Sequence, residues 1–496
     1  MLVSIIPGLP RVALNPDFIF AGVLPPLLFS SATQTSWTEF KYNLVSITSL
    51  AFGLVVFTVV GVSLAAHWLI PDFDWRVGLV LGAAVAPTDA IAATAIAQRL
   101  GLPKRIVDLL EGESLVNDAS GLLALQFSTA LVVSGTVPSL GRGIAQFAYL
   151  TGAGILVGLS VGAAVQWIES RIDNTPVEIA LSIVTPYLAY ATAEVVASSG
   201  VLAAVACGLY VGRKRSVLLS PRARVEGHYF WSTFAFLLNG IVFLLIGLQL
   251  PLVLHGIRNI SPVELAISAA QLAAAIILLR LLWVVPATYV GYAVRRKILH
   301  QNEEPPSLRA AFILGWTGMR GVVSLAAAVS VPATLSNGAP FSQRNPLIFL
   351  TFTTIVVTLV LQGLTLPAVI RSLNLPSSNE YETEKHRARR RMISAALKRI
   401  EELRQRDGPE FESLYKAFAR FYQDRLDLLN ATGEEHGDRN EHSANELHER
   451  YESVGKQVRQ AERSALISLH AHNEISAEVL RELEHELDLV DLRAAG

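Results

Sequence analysis

Residues 111–121 read EGESLVNDASG and sit inside an otherwise apolar stretch. On a helix, Ser114 and Asp118 are four residues apart and Ser114 and Asn117 three, so hydroxyl, carboxylate and amide share one face. Carboxylate and hydroxyl oxygens are the donors that hard cations such as Na+ and Li+ prefer. Asp118 could hold such a cation or a proton, and the two would compete for the same lone pairs. A second set lies in GAAVAPTDAIAATAIA (82–97), with Pro87, Thr88 and Asp89 at its middle. Proline has no N–H and clashes with the preceding turn, so a kinked or unwound helix is expected there. Unwinding frees backbone carbonyls, and Thr88 and Asp89 add two more oxygen donors. A third set is GWTGMRGVVSLAAAVSVP (315–332), where Arg320 lies between glycines. A buried arginine needs a partner. Glu113 points about 100° away from Ser114 on the helix and is free to meet it, so a structural Glu113–Arg320 ion pair is expected. Arg320 binding an anionic substrate is the competing reading.

These residues are informative only if they lie at membrane depth, where ionisable groups are rare and functional. Of 496 residues 51% are hydrophobic and 17% charged, against about 25% charged in soluble domains. The charges are also uneven. The first 379 residues carry 22 basic and 17 acidic side chains, and those from Glu380 onward carry 19 and 25. The chain thus reads as a transmembrane domain over 1–379 and a charged helical domain over 380–496.

Eleven apolar segments fall near 18–35, 43–70, 75–98, 110–134, 145–168, 176–196, 199–212, 229–257, 264–293, 309–335 and 346–372. Roughly 20 helical residues cross the hydrocarbon core. The runs lack the alternation of barrel strands, so the fold class is an all-α polytopic membrane protein. Loops after odd-numbered segments hold 14 Lys and Arg residues, and those after even-numbered segments hold 4. That bias places the odd loops and the C-terminal tail in the cytoplasm. Eleven crossings then put Met1 outside, and the expectation is that one or more membrane helices precede it.

Glu194 and Arg280 also lie in apolar runs, where both are read as near segment ends and able to reach the interface. Glu194 is retained as a candidate for the ion path. In the tail, Phe411, Leu414, Tyr415, Phe418, Phe421, Leu426 and Leu429 fall on one helical stripe. The single cysteine, Cys207, excludes an intramolecular disulfide. The sequence has no zinc-ligand spacing, Walker loop or GxGxxG, and its basic residues form no nucleic-acid stripe.

Four motifs in order, PPLLF (25–29), APTDA (86–90), GESLVNDASG (112–121) and GMRGVVSLAAAVSVP (318–332), resemble the NhaP-type bacterial Na+/H+ exchangers of the monovalent cation:proton antiporter superfamily. The resemblance spans residues 10–375. It implies an inverted-repeat antiporter fold with crossed discontinuous helices, a core domain shifting against a dimer-forming domain, and a homodimer in the lipid bilayer. It also implies Asp118 as the Na+ ligand, with Thr88 and Ser114 assisting. Asn117 and Asp89 would be polar supports, and Glu113 would pair with Arg320. Some members carry an acid directly after PPLLF; this chain has Ser30 and Ser31 there, which are assigned to the ion path.

The expected function is a secondary antiporter rather than an enzyme, exchanging Na+ or Li+ for H+ across the plasma membrane, in the service of pH and sodium homeostasis. Where related antiporters have a second aspartate this chain has Asn117, which carries no proton. One acid moving one cation against one proton is electroneutral, and it requires no ATP or redox cofactor. A K+/H+ exchanger on the same scaffold is the nearest alternative. A cation channel is the more distant one, and the chain has no filter-like motif or pore-lining ring of charges.

Overall fold

The structure is a computed structural model. It describes residues 15–433, apart from 136–139, 173, 219–220, 256, 258–260, 299, 301–304, 374–379 and 408–410, together with isolated positions between 460 and 468. The chain divides into two compact units, Met1–Ser378 and Asn379–Gly496.

Helices form in every expected apolar segment, and two of the segments are interrupted. The first is α1 (Phe18–Gln34), which opens on a π-helical turn over Phe18–Val23 and carries Pro25 and Pro26 at the start of its α-helical part. After the short α2 (Trp37–Tyr42), α3 spans Leu44–Leu69. The third segment is two helices, α4 (Trp75–Val85) and α5 (Ala90–Arg99), separated by four non-helical residues. The helix that carries EGESLVNDASG is α6 (Lys104–Ser134), which starts directly after Pro103 and ends on Gly135 at φ 66°. Glycine tolerates that left-handed conformation without steric cost.

The long helices α7 (Leu140–Glu169), α8 (Thr175–Val195), α9 (Gly200–Leu218), α10 (Pro221–His255) and α11 (Pro262–Lys297) follow. The tenth segment is again two helices, α12 (Leu308–Trp316) and α13 (Val322–Ser330), and α14 (Arg344–Leu373) closes the unit. Among the described residues six of these helices are long and apolar enough to cross a membrane whole. The two interrupted segments fall short because each half is only about half a span.

Small residues set the packing. A Cβ on Gly82 would stand 2.7 Å from the Val59 carbonyl oxygen, so α3 and α4 touch backbone to backbone. One apolar core collects Val55, Val62, Val80, Leu81, Leu325 and Leu347, around α4 and α13. A second collects Ile47, Ile106, Leu110, Val284, Ile313 and Met319, around α12 and the start of α6. Each core takes in one residue of a break, Ala86 in the first and Met319 in the second.

The second unit has two described helices, α15 (Glu380–Asp407) and α16 (Glu412–Gly433), which pack on each other. Arg404 Nε donates to Glu412 at 2.9 Å and the Tyr415 hydroxyl donates to Asp407 across their junction. Phe411, Leu414, Phe418 and Phe421 of the expected stripe are exposed.

Candidate cation site at the crossed helix breaks

The first break, residues 86–89, is where Pro87 withholds the N–H that a continuous helix needs. The second, residues 317–321, coincides with Gly318 and Gly321, and Gly321 is extended at φ −123°, ψ −154°. Sequence reasoning treated this segment as one helix; the glycine pair was the available signal. The breaks cross in contact. Asp89 N–H donates to the Met319 carbonyl at 2.8 Å, and Ser324 Oγ donates to the Pro87 carbonyl at 3.4 Å. A Cβ on Gly321 would lie 2.7 Å from Asp89 Oδ2, so only glycine lets the two breaks approach this closely.

Two helix N-termini and two C-termini meet here, and their partial charges order the ionic side chains. Asp89 immediately precedes α5 and lies against Gly321, which immediately precedes α13. Its carboxylate is therefore placed at two positive helix ends. Arg320 Nη1 reaches the Ala86 carbonyl at 3.4 Å, at the negative end of α4, while its backbone N–H donates to Thr358 Oγ1 at 3.1 Å.

Helix α6 passes the crossing with its polar face. Ser114 Oγ donates to the Thr88 carbonyl at 2.8 Å, and Asn117 Nδ2 donates to Thr88 Oγ1 at 2.5 Å. Thr88 Oγ1 in turn donates to Glu113 Oε1 at 3.2 Å. These bonds leave the Thr88 hydroxyl one lone pair. Asp118, 7% exposed, opens into a cavity of about 90 Å³ together with Thr88, Asp89, Ser114 and Ser324. The facing wall comes from α1 and α10 and is mostly apolar, with Ser31 and Asn239 as its polar members. A cavity needs about 10–15 Å³ of such space per water, so a cation with several waters fits. The donors are carboxylate and hydroxyl oxygens, a set that suits an alkali cation.

The structure thus brings Thr88, Asp89, Ser114 and Asp118 to one cavity. It places Asn117 behind them, as a support for Thr88. Ser31 lines the cavity, whereas Ser30 is buried within α1, where its hydroxyl accepts from Gln34 at 3.3 Å. Glu194 is exposed in the last turn of α8 and is not among the cavity's lining residues.

The expected Glu113–Arg320 ion pair is not formed. Glu113 pairs instead with Arg280 of α11, Oε1 to Nη1 at 2.5 Å and Oε2 to Nη2 at 2.9 Å. Arg280 is not at a segment end reaching the interface; it is 1% exposed. Its Nε and Nη2 also donate to the carbonyls of Gly315 and Leu314 at 3.2 and 3.1 Å. Those carbonyls belong to the last turn of α12, so Arg280 caps the end of the half-helix that leads into the second break. The reason is spatial: a Cβ at Gly318 would overlap the Arg280 side chain, and its absence gives the guanidinium room to reach across. Arg280, Asn239, Ser324 and Thr358 are the members of this site that sequence reasoning missed.

The transmembrane sodium/hydrogen exchanger family matches residues 1–372. An uncharacterised Na+/H+ exchanger of Mycobacterium tuberculosis is 32% identical over 99% of this chain and 90% of its own length. A sodium, potassium, lithium and rubidium/H+ antiporter of Bacillus pumilus is 30% identical over 99% of this chain and 73% of its own. Among solved structures, the sodium proton antiporter MjNhaP1 of Methanocaldococcus jannaschii superposes with a TM-score of 0.57 at 20% identity, covering 76% of this chain and 90% of that one.

Proposed function

We propose that this chain, which belongs to the sodium/hydrogen exchanger family, exchanges an alkali cation for a proton by competition at Asp118. The observation that carries this reading is the placement of one buried carboxylate, beside the Ser114 and Thr88 hydroxyls, in a small cavity at crossed helix breaks. Burial favours the neutral form of a carboxyl group, and a bound cation favours the charged one. The proton-bound and the cation-bound carboxyl are both neutral overall and can be carried through an apolar enclosure. The empty carboxylate is charged and cannot, so exchange is obligatory.

Two further polar groups do not carry the proton. Asn117 is an amide whose Nδ2 is committed to Thr88. The charge of Asp89 is balanced by the N-termini of α5 and α13 and serves the frame. One titrating acid per cycle gives electroneutral 1:1 exchange.

The chain would work as a homodimer in the plasma membrane with its C-terminal unit in the cytoplasm, the side set by the Lys and Arg bias of the loops. Its role would be pH and sodium homeostasis. Na+ and Li+ are the substrates that the oxygen donors favour, and a K+-accepting site is supported by the name of the Bacillus pumilus relative, which includes potassium and rubidium. Proteoliposomes carrying an internal pH dye test both points. Addition of Na+, Li+ or K+ separately should move protons against the cation, and a preparation that moves protons with none of the three ends the proposal.

A further inference from the structure

Helix α14 carries an unusual polar stripe. Thr351, Thr354, Thr358 and Gln362 fall three or four residues apart, on one helical face, and all four are buried to 1% exposure or less. The stripe ends in a π-helical turn over Thr358–Gln362, a local irregularity that recurs at functional positions. Thr351 satisfies itself on the Leu347 carbonyl at 2.9 Å. Thr358 bonds the Thr354 carbonyl at 2.9 Å and accepts from the Arg320 backbone N–H. The other groups are not satisfied by protein. Thr354 Oγ1, both amide atoms of Gln362 and Nε of Arg320 are buried polar atoms without a hydrogen-bond partner.

A glutamine amide has two N–H donors and an acceptor oxygen, and native interiors leave such groups unpaired only where an ordered water or a functional constraint accounts for them. Thr358 links the stripe to the second break, because its hydroxyl touches Arg320. Gln362 sits one turn further along the same face. The orphaned atoms are of both kinds, donors and acceptors, which is what a bridging water requires.

We infer that the Thr354–Thr358–Gln362 face is a buried hydration site that solvates Arg320, and that Gln362 is a positioning residue for the transported cation. It acts through Arg320, whose guanidinium lies at the Ala86 carbonyl of the first break. Bridging water screens that positive charge from the cavity. Without the amide to hold the water, the field of Arg320 at the cation site strengthens and cation binding weakens. This role rests on the antiporter reading, whereas the hydration site itself does not.

The test has two arms. A high-resolution structure of the wild-type protein should show ordered water joining the Gln362 amide to Thr354 or Arg320. Finding the amide bonded directly to protein groups, with no water there, overturns the hydration site. In proteoliposomes, Gln362→Leu should raise the apparent KM for Na+ by about tenfold, the scale of a lost outer-shell partner, at unchanged maximal rate. Gln362→Glu should lower KM below wild type, because its carboxylate offsets Arg320. A merely structural glutamine would cost folded protein and maximal rate in both variants and leave KM in place, which overturns the positioning role. Should Gln362→Leu fail to fold, the direction of the KM shift in Gln362→Glu decides. Wild-type protein that exchanges no cation would sink the antiporter reading and the positioning role with it, and the density would still decide the hydration site.

Discussion

Glu113 and Arg280 meet fork to fork, 167 residues apart in sequence, with both carboxylate oxygens on both terminal nitrogens of the guanidinium. The pair joins α6, which carries Asp118, to α11 and, through the Leu314 and Gly315 carbonyls, to the end of α12. Glu113→Gln leaves a buried guanidinium without its counter-charge, a change that costs about 3–5 kcal/mol. The expected outcome is a lower melting midpoint in detergent, and an Arg280→Lys variant that is also destabilised, because lysine cannot make the bidentate contact. An unchanged midpoint in both would remove the pair from the list of structural ties.

Asp118→Asn should abolish exchange while leaving the melting midpoint at or above that of the wild type. The amide is nearly isosteric and carries no charge to bury, and it can take neither a proton nor a cation's full charge. Dye-loaded vesicles and a thermal melt on the same preparation separate the two effects. Substantial cation-driven proton movement by this variant would show that the exchanging group lies elsewhere.

The proposed competition at one carboxyl would also fix the sign of the pH dependence. Lowering pH on the cation side protonates Asp118 and should raise the apparent KM for Na+, on the order of tenfold per pH unit once the acid is mostly protonated. The maximal rate at saturating Na+ should hold. A KM that stays flat from alkaline to acid pH would mean that proton and cation occupy different groups.

Electroneutral exchange, as proposed, would make turnover independent of membrane potential. Imposing a potassium diffusion potential of either sign on reconstituted vesicles should leave the initial rate unchanged. A rate that followed voltage would require a second proton per cycle, with Asp89 the group to re-examine.

At the crossing itself, Gly321→Ala should reduce exchange severely. The added methyl would sit 2.7 Å from Asp89 Oδ2 and must push the two breaks apart. The backbone there is extended, so the loss would come from contact and not from strain, and Gly321→Ser should behave at least as badly. Near-normal rates in both variants would show that the crossing tolerates separation.

Much of this site was readable from the chain alone, and the reasons are local. Thr88 follows a proline that cannot continue a helix, and Ser114, Asn117 and Asp118 share a face by helical spacing; neither inference needs to know what lies opposite. The partner of Glu113 was not readable in this way. Of the two arginines in apolar runs only Arg320 reads as demanding an anion, because Arg280 reads as reaching the interface, and spacing cannot say which helix crosses at that height. The side chain that Gly318 lacks settled the matter, and a missing methyl group announces nothing about its beneficiary. Asn239 is one of two amides on α10, with Gln249, so it becomes notable only once α10 forms a cavity wall. The second break was announced by a glycine pair, a weaker signal than a proline, because glycine permits unwinding without compelling it.

The bond from Asp89 N–H to the Met319 carbonyl contains no side-chain atom. Any residue but proline at position 89 could donate it, and any residue at all at position 319 could accept it. The junction that holds the candidate ligands in register is therefore written in main chain, and it can persist while the surrounding alphabet is rewritten. That gives a physical reason why an architecture of this kind can be shared with MjNhaP1 when only one residue in five is the same.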